Sequence, residues 1–409
     1  MLACCRRVFS PFRYLLMSPN NTCPNCLNGA LRVFHEVHRV PVHSVLLMPS
    51  RDIATSYPKG DIALGYCGDC GFVSNTLFNP TVHEYSTQYE ETQGFSATFR
   101  SFHSRLAASL IEKYGLRGKK IVEIGCGKGE FLTLLCEMGG NSGIGFDPAF
   151  VKERNPANTG LDIEFVQDFY SEKYADVRAD FFCCKMTLEH IPDTAAFIRT
   201  VRRAVGDNPE TTVFFQVPDA IRVLKDFAFW DIYYEHCSYF SAGSLARVFR
   251  EAGFEVLDTW TDYDDQYLMI AAKPASGIGP VTELETEAPA VVAAAISTFR
   301  AQFKTSVDYW KRQIGDLRRG DKRAVVWGSG SKGVAFLSSL NVNDAIEYVV
   351  DINPYRQGKF MAGTGQRIVS PEFLQEYKPD VAIAMNPVYK SEIRQDLDRL
   401  GLSTTVLSV

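Results

Sequence analysis

Two stretches of this chain repeat one design: a short apolar strand, a glycine-rich turn, then a helix. The first is Ile121-Val-Glu-Ile-Gly-Cys-Gly-Lys-Gly-Glu-Phe131 and the second is Val325-Val-Trp-Gly-Ser-Gly-Ser-Lys-Gly333. Glycines directly after a buried strand allow a tight turn and close approach of a ligand to the backbone, at the carboxyl edge of a sheet. With 409 residues the chain is too long for one ordinary core, so each unit is expected to open its own α/β domain.

The flanking pattern supports this. Strands are expected at 120–125, 142–146, 179–184 and 211–217, with a helix at 130–138, which is the alternation of a doubly wound parallel sheet over 81–275. Residues 276–287 (SGIGPVTELETE) are rich in Gly, Pro and Glu and read as a linker. An Ala-rich amphipathic stretch at 288–318 completes a linker-and-helix segment, 276–318. It leads into a second Rossmann-like run, 319–409, with strands at 323–327, 346–350 and 381–385.

Ahead of these lies a different kind of segment. Residues 17–80 hold two Cys-x-x-Cys pairs, Cys23/Cys26 and Cys67/Cys70, and short strand-like runs at 45–48 and 61–66. Such a small β-rich module cannot build a core alone and uses a metal as a staple. Four thiolates on two knuckle turns suit tetrahedral Zn²⁺ and fill its shell, so the expected role is structural. The chain has 11 cysteines, but Cys126, Cys136, Cys183, Cys184 and Cys237 sit in apolar segments as small hydrophobes. The pattern is that of a reduced, cytoplasmic protein. Residues 1–16 are basic and aromatic, but Arg13 interrupts their apolar run and no small-residue cleavage site follows. They read as a disordered extension, or as upstream of a true start at Met17.

With 46% hydrophobic and 22% charged residues the chain reads as globular. A net charge of −5 offers no field to gather nucleic acid, and no apolar run reaches the roughly 18 residues of a membrane span. Nothing resembles a coiled coil, so a monomer is the default expectation.

At the first turn, context sharpens a weak motif. Glu123 precedes the turn on its strand, and the next strand closes on Gly145-Phe-Asp147-Pro148, where an acid can bond ribose hydroxyls. Val166-Gln-Asp168-Phe adds a third polar tip for an adenine amino group. The combination resembles the class I methyltransferases, and the resemblance implies that Glu123, Gly125, Cys126, Gly127, Gly129, Asp147 and Asp168 surround S-adenosylmethionine. A dinucleotide-binding half is the alternative.

Two histidines carry the candidate chemistry. His190 follows a strand in Cys184-Lys-Met-Thr-Leu-Glu-His-Ile-Pro192, and His236 lies in Trp230-Asp-Ile-Tyr-Tyr-Glu-His-Cys-Ser-Tyr-Phe240. A neighbouring acid could raise the basicity of His236, and phenols could donate to a developing oxyanion. The cysteine module, the glycine-turn core, the Tyr-Tyr-Glu-His-Cys-Ser-Tyr-Phe-Ser segment and the second Rossmann-like domain together resemble the sugar C-methyltransferases. Those enzymes act on nucleotide-linked keto-deoxysugars. The resemblance covers the chain from about residue 20 onward. It implies His236 as the base that removes the proton next to the ketone, Glu235 orienting it, and Tyr233 and His190 stabilising the enolate. A tyrosine ahead of the core also lines the site in that family, and Tyr85 and Tyr89 both lie in the corresponding stretch, 83–96.

The second turn, a full G-x-G-x-x-G with Asp351 ending the next strand, taken alone predicts a dinucleotide. The resemblance implies instead that Gly328, Gly330, Lys332 and Asn386 help hold the nucleotide-sugar, with Lys332 a phosphate partner and Asn353 a contributor on the same edge; a structural turn without a ligand is the further alternative. The segment after Met385 departs from any pattern that can be matched residue by residue. An O- or N-methyltransferase acting on another small metabolite, and a zinc-containing nucleic-acid-binding protein, are the competing readings.

Overall fold

The computed structural model describes residues 22–82, 88–155, 160–275, 286–342 and 345–409. The expected extension at 1–16, Tyr85, and most of the expected linker at 276–287 lie outside the described residues.

The chain opens with β1 (Leu31–Pro41), α1 (Arg51–Ser56), β2 (Lys59–Cys67) and β3 (Val73–Asn75). β1 and β2 form an antiparallel ribbon whose register slips between Val33 and His35 and again between Val37 and Val40. The stretch expected as a strand at 45–48 makes only single bridges, Leu46 to Tyr89 and Met48 to Phe360, so it ties three parts of the chain together and joins no sheet.

α2 (Ala97–Tyr114) starts at Ser96, whose hydroxyl accepts from Phe99 N, and stops at Gly115 in the left-handed conformation. The glycine-turn unit follows as β4 (Lys120–Ile124) and α3 (Glu130–Gly139), then β5 (Ser142–Phe146), β6 (Ile163–Val166), β7 (Phe181–Lys185), α4 (Thr194–Val205), β8 (Thr212–Pro218) and α5 (Ala220–Lys225). The two-residue β9 (Ser238–Tyr239) pairs with β3, so the amino-terminal sheet, β1-β2-β3-β9, is completed from inside the next domain. α6 (Ala242–Glu251), β10 (Phe254–Asp262) and β11 (Tyr267–Pro274) finish a seven-stranded sheet ordered β10-β11-β8-β7-β4-β5-β6. Its strands are parallel except β11, which runs antiparallel to both neighbours.

α7 (Pro289–Arg319) bridges to the last domain. It buries Val292 and Phe299 in the first half and Trp310 and Ile314 in the second, all in one core shared with Ile62, Phe229 and Phe336. Full burial of a side chain such as Phe299 contributes about 1.5–3 kcal/mol. The last domain comprises β12 (Ala324–Trp327), α8 (Ser331–Leu340), β13 (Tyr348–Val350), β14 (Arg367–Val369), α9 (Leu374–Tyr377), β15 (Val381–Ala384), α10 (Lys390–Arg399) and β16 (Thr405–Ser408), in a parallel sheet ordered β14-β13-β12-β15-β16.

Both sheets reverse their winding beside the strand that carries a glycine turn, β4 in one and β12 in the other. In open α/β sheets that reversal opens the crevice where ligands bind. No helix among the described residues is long and apolar enough to cross a membrane.

Candidate active site

The two crevices face each other across one cavity of about 500 Å³. The wall on one side is Gly125–Lys128, Asp147 and the segment from Met186 to Ile191; on the other it is Gly328, Gly330–Gly333, Asp351, Asn353 and Asn386. His236, Tyr233, Glu189 and His190 line it between the two turns.

The first turn is built for close approach. Gly125 and Gly129 have φ of +70° and +80°, and a methyl group there would run into Thr187 and into the Phe165 ring, respectively. Asp147 accepts from Gly127 N at 2.8 Å and Ala149 N at 2.7 Å, which fixes the acid against the turn; burial raises its pKa. Glu123 is 2% exposed and its Oε2 has no hydrogen-bond partner. Burial pushes its pKa up to about 7. An orphaned buried carboxylate beside a glycine cradle fits a cofactor with donor groups to satisfy it, as S-adenosylmethionine has. Cys126 also lines the cavity, whereas Asp168 does not: its carboxylate is exposed and bonded to Lys173 Nζ and Tyr174 Oη, and the neighbouring Phe169 and Tyr170 line the wall. Tyr89 lines the cavity as well, with its carbonyl accepting from Lys128 Nζ at 2.9 Å. Glu91, which the sequence reading passed over, stands opposite Lys128 at 3.5 Å.

The acid–base cluster differs from expectation in its pairing. Glu235 does not face His236. Its buried carboxylate accepts from Ser44 N at 3.0 Å and from the Ser44 hydroxyl, and lies 3.2 Å from His43 Nδ1. The acid opposite His236 is Glu189, with Oε1 3.9 Å from Nε2. The expected orienting role of Glu235 is therefore corrected to an anchor for its loop. The rings of His190 and His236 lie 4.8 Å apart, edge to face, and Tyr233 lies 4.1 Å from His236.

His190 lies beside this pair. Its Nδ1 is 3.0 Å from the carbonyl oxygen of Glu235, and a carbonyl only accepts, so Nδ1 carries the proton. Burial lowers the His190 pKa to about 4, so the ring is neutral at pH 7 and Nε2 is an acceptor. Burial raises the Tyr233 pKa, which keeps its phenol protonated and able to donate.

At the second turn, Gly328 has φ +114° and Gly330 caps α8. Lys332 does not point at open space: its ammonium contacts Asp231 at 2.7 Å and Gln266 at 3.2 Å. Asp231 also takes Arg222 at 2.5 Å. Asn386 pairs reciprocally with Gln266, at 2.9 and 3.0 Å, joining the last domain to the end of the central sheet. Asp351 is held by Ser329 N and Asn353 N, and buried Arg356 adds a cation whose Nε has no hydrogen-bond partner. Asp231, Gln266 and Arg356 escaped the sequence reading because their partners are distant in the chain.

The cysteine pairs do converge. Cys23 and Cys70 sulfurs are 3.6 Å apart, Cys26 and Cys67 sulfurs 3.7 Å, and all four lie within 4.8 Å of one another. A tetrahedron with Zn–S bonds of about 2.3 Å has edges of about 3.8 Å, so the cluster could bind zinc. The thiol of Cys23 holds Cys70 low, at about 6. A methyl group at Gly29 would strike the Cys67 sulfur, so the knuckle requires glycine there. The other five described cysteines are free and buried.

Residues 98–259 match the family model described as a methyltransferase domain. Together with the glycine turn, its acids and the sheet order, this defines the class: the chain is an S-adenosylmethionine-dependent methyltransferase. Residues 269–404 match the model described as a C-methyltransferase C-terminal domain. The C-methyltransferase NovU of Streptomyces niveus is 29% identical over 311 residues, covering 71% of this chain and 72% of that protein. A methyltransferase model and a C-methyltransferase model thus match consecutive parts of the chain. A ubiquinone biosynthesis O-methyltransferase of Escherichia coli O127:H6 is 33% identical over 107 residues, which is 25% of this chain and 43% of that relative's length. Burkholderia thailandensis 1,6-didemethyltoxoflavin-N1-methyltransferase, solved with bound 1,6-didemethyltoxoflavin and S-adenosylhomocysteine, aligns with 42% of this chain and 79% of its own at 17% identity. Its TM-score of 0.35 is too low to carry a comparison.

Proposed function

We propose that the chain methylates a carbon next to the ketone of a nucleotide-linked keto-deoxysugar. The observation that carries this reading is the single cavity in which an acid–base cluster stands between two glycine turns. One turn serves the cofactor and the other the nucleotide end of the acceptor. The family match to C-methyltransferases and the likeness to NovU support the carbon specificity.

Glu123, Gly125, Gly127, Gly129 and Asp147 would hold S-adenosylmethionine, which supplies an electrophilic methyl group. Carbon beside a ketone becomes nucleophilic only when its proton leaves, and a positioned base contributes about 10²–10⁴-fold to that step. His236 takes this proton on its imidazole. Tyr233 donates its phenolic hydrogen to the enolate oxygen. His190 Nε2, an acceptor, receives a hydroxyl hydrogen of the sugar. On the far side the amino end of α8 and Arg356 suit a diphosphate. Zn²⁺ in the four-cysteine cluster has a structural role, and the free buried thiols suit a reducing, cytoplasmic setting.

The test is incubation of the purified protein with labelled S-adenosylmethionine and a panel of nucleotide-linked keto-deoxysugars, read by mass spectrometry. One methyl gained on sugar carbon is expected. No transfer across the panel, with cofactor bound, would overturn the acceptor assignment.

A further inference from the structure

Glu189 is the least explained group in the cavity. It is fully buried, yet neither carboxylate oxygen has a hydrogen-bond partner. Leaving such a group unsatisfied costs stability, and an unsatisfied buried group in a native structure calls for an explanation, a catalytic role among them. Its backbone is not loose: it sits in the turn Leu188–His190 directly after β7, and its carbonyl accepts from Cys237 N at 3.0 Å. That bond ties the Glu189 turn to the His236 loop and sets Oε1 3.9 Å from His236 Nε2. Glu235, the acid adjacent to His236 in sequence, is turned away toward His43 and Ser44.

We propose that Glu189 is the proton partner of His236: the proton that the imidazole takes from the substrate carbon is stabilised on, and passed to, the Glu189 carboxylate. The inference rests on the enolate reading above. In balance, the C–H electron pair becomes the enolate, the proton moves to His236, and then from Nε2 to a Glu189 oxygen. The pair starts as neutral imidazole and carboxylate and ends as neutral imidazole and carboxylic acid.

The surroundings tune the carboxylate toward accepting a proton. Burial pushes its pKa up to about 8. The titratable groups around it are His236 and His190, the phenols of Tyr233 and Tyr267, and the thiols of Cys184 and Cys237. Only the ionised form can accept, so proton abstraction in the wild-type protein should rise with pH up to about 8.

The experiment is deuterium exchange at the sugar carbon in D₂O. It uses the full-length protein, S-adenosylhomocysteine and the keto-deoxysugar nucleotide found by the panel above, followed by mass spectrometry across pH 6–9. Glu189→Gln is expected to lower exchange about 100-fold or more and to flatten its rise toward pH 8. Affinity for S-adenosylhomocysteine should stay within about threefold. Exchange within threefold of wild type, or an unchanged pH profile, overturns the proposal. If Glu189→Gln does not fold, Glu189→Asp is measured in its place. It keeps the charge but withdraws it from Nε2, so exchange should fall at least tenfold with the pH rise retained; undiminished exchange overturns the proposal. No exchange by the wild-type protein would overturn the enolate reading and this proposal with it.

Discussion

Replacing Glu235 by alanine should damage the fold more than the chemistry, and the size of the effect follows from its partners. The carboxylate is 1% exposed and accepts from Ser44 N and the Ser44 hydroxyl, with His43 Nδ1 at 3.2 Å. Truncation removes the acceptor and strands a buried amide N–H, and it takes the carboxylate from an imidazole that is itself 0% exposed. Deleting one member of a buried, hydrogen-bonded charged group costs about 3–5 kcal/mol. For a cooperative unit of some 150–250 residues each kcal/mol lowers the melting temperature by roughly 2–4 °C, so a fall of about 6 °C or more is expected by differential scanning calorimetry. The Glu235 carbonyl, which holds His190, survives the substitution. Deuterium exchange at the sugar carbon, measured well below the transition, should therefore fall less than about tenfold, against the 10²–10⁴-fold expected for loss of a general base. A variant as stable as wild type but slowed 10²-fold or more would refute the reasoning, because Glu235 would then have to touch the reacting atoms.

Metal analysis of the purified protein should find one zinc per chain. Cys67→Ser should lose it and leave residues 22–80 open to protease, while a metal-free protein of unchanged stability would contradict a structural role. Asp147→Ala removes the acceptor for Gly127 N and Ala149 N. At about 1.5–3 kcal/mol for a hydrogen bond to a charged group, calorimetric titration with S-adenosylhomocysteine should show affinity falling about 10–100-fold; unchanged binding would remove Asp147 from the cofactor site. At Gly333 an added methyl would meet the carbonyl oxygen of Gly328, a backbone atom that cannot swing aside as the end of a flexible side chain could. Gly333→Ala should cost about 1–3 kcal/mol, read as a lower unfolding midpoint in urea, and a variant of wild-type stability would contradict that packing.

What was legible in the sequence is what depends on near neighbours along the chain. The glycine turns could be read because strand, turn and helix follow within a dozen or so residues, and the cysteine pairs because two knuckles announce themselves separately. Glu235 was misjudged for the opposite reason. Adjacency to His236 suggested a pair, yet Glu235 sits in a tight turn closed by His236 N donating to Tyr233 O, and its partner His43 lies 192 residues away. Glu189 was passed over as the neighbour of a histidine, although its burial is what makes it unusual. The longest strand, β1, went unnamed because Leu31–Pro41 mixes His, Arg and Glu without alternation, and the two register slips explain why. The run at 45–48 has strand composition but makes only single bridges, to Tyr89 and to Phe360.

The amino-terminal module holds the two α/β domains at a fixed separation. At its cysteine end, Asn25 Nδ2 donates to Ser244 O, Thr194 Oγ1 and Ala195 N donate to Pro24 O, and Arg247 donates to Cys70 O, all on α4 or α6 of the central domain. At its other end, Gly363 N donates to Ala54 O, Phe360 N donates to Met48 O, and Ser44 Oγ lies 2.7 Å from Ser331 Oγ at the start of α8. β2 runs between these ends, from Lys59 to Cys67. The sheet is small, with β3 of three residues and β9 of two, so the ties at its ends help to hold its shape. The cysteine cluster pins the end away from the cavity, and Glu235 pins the end beside it. A metal in that cluster would therefore act on catalysis without touching substrate, by setting how far Gly125 and Asp147 stand from Gly328 and Arg356 and so the width of the cavity between them.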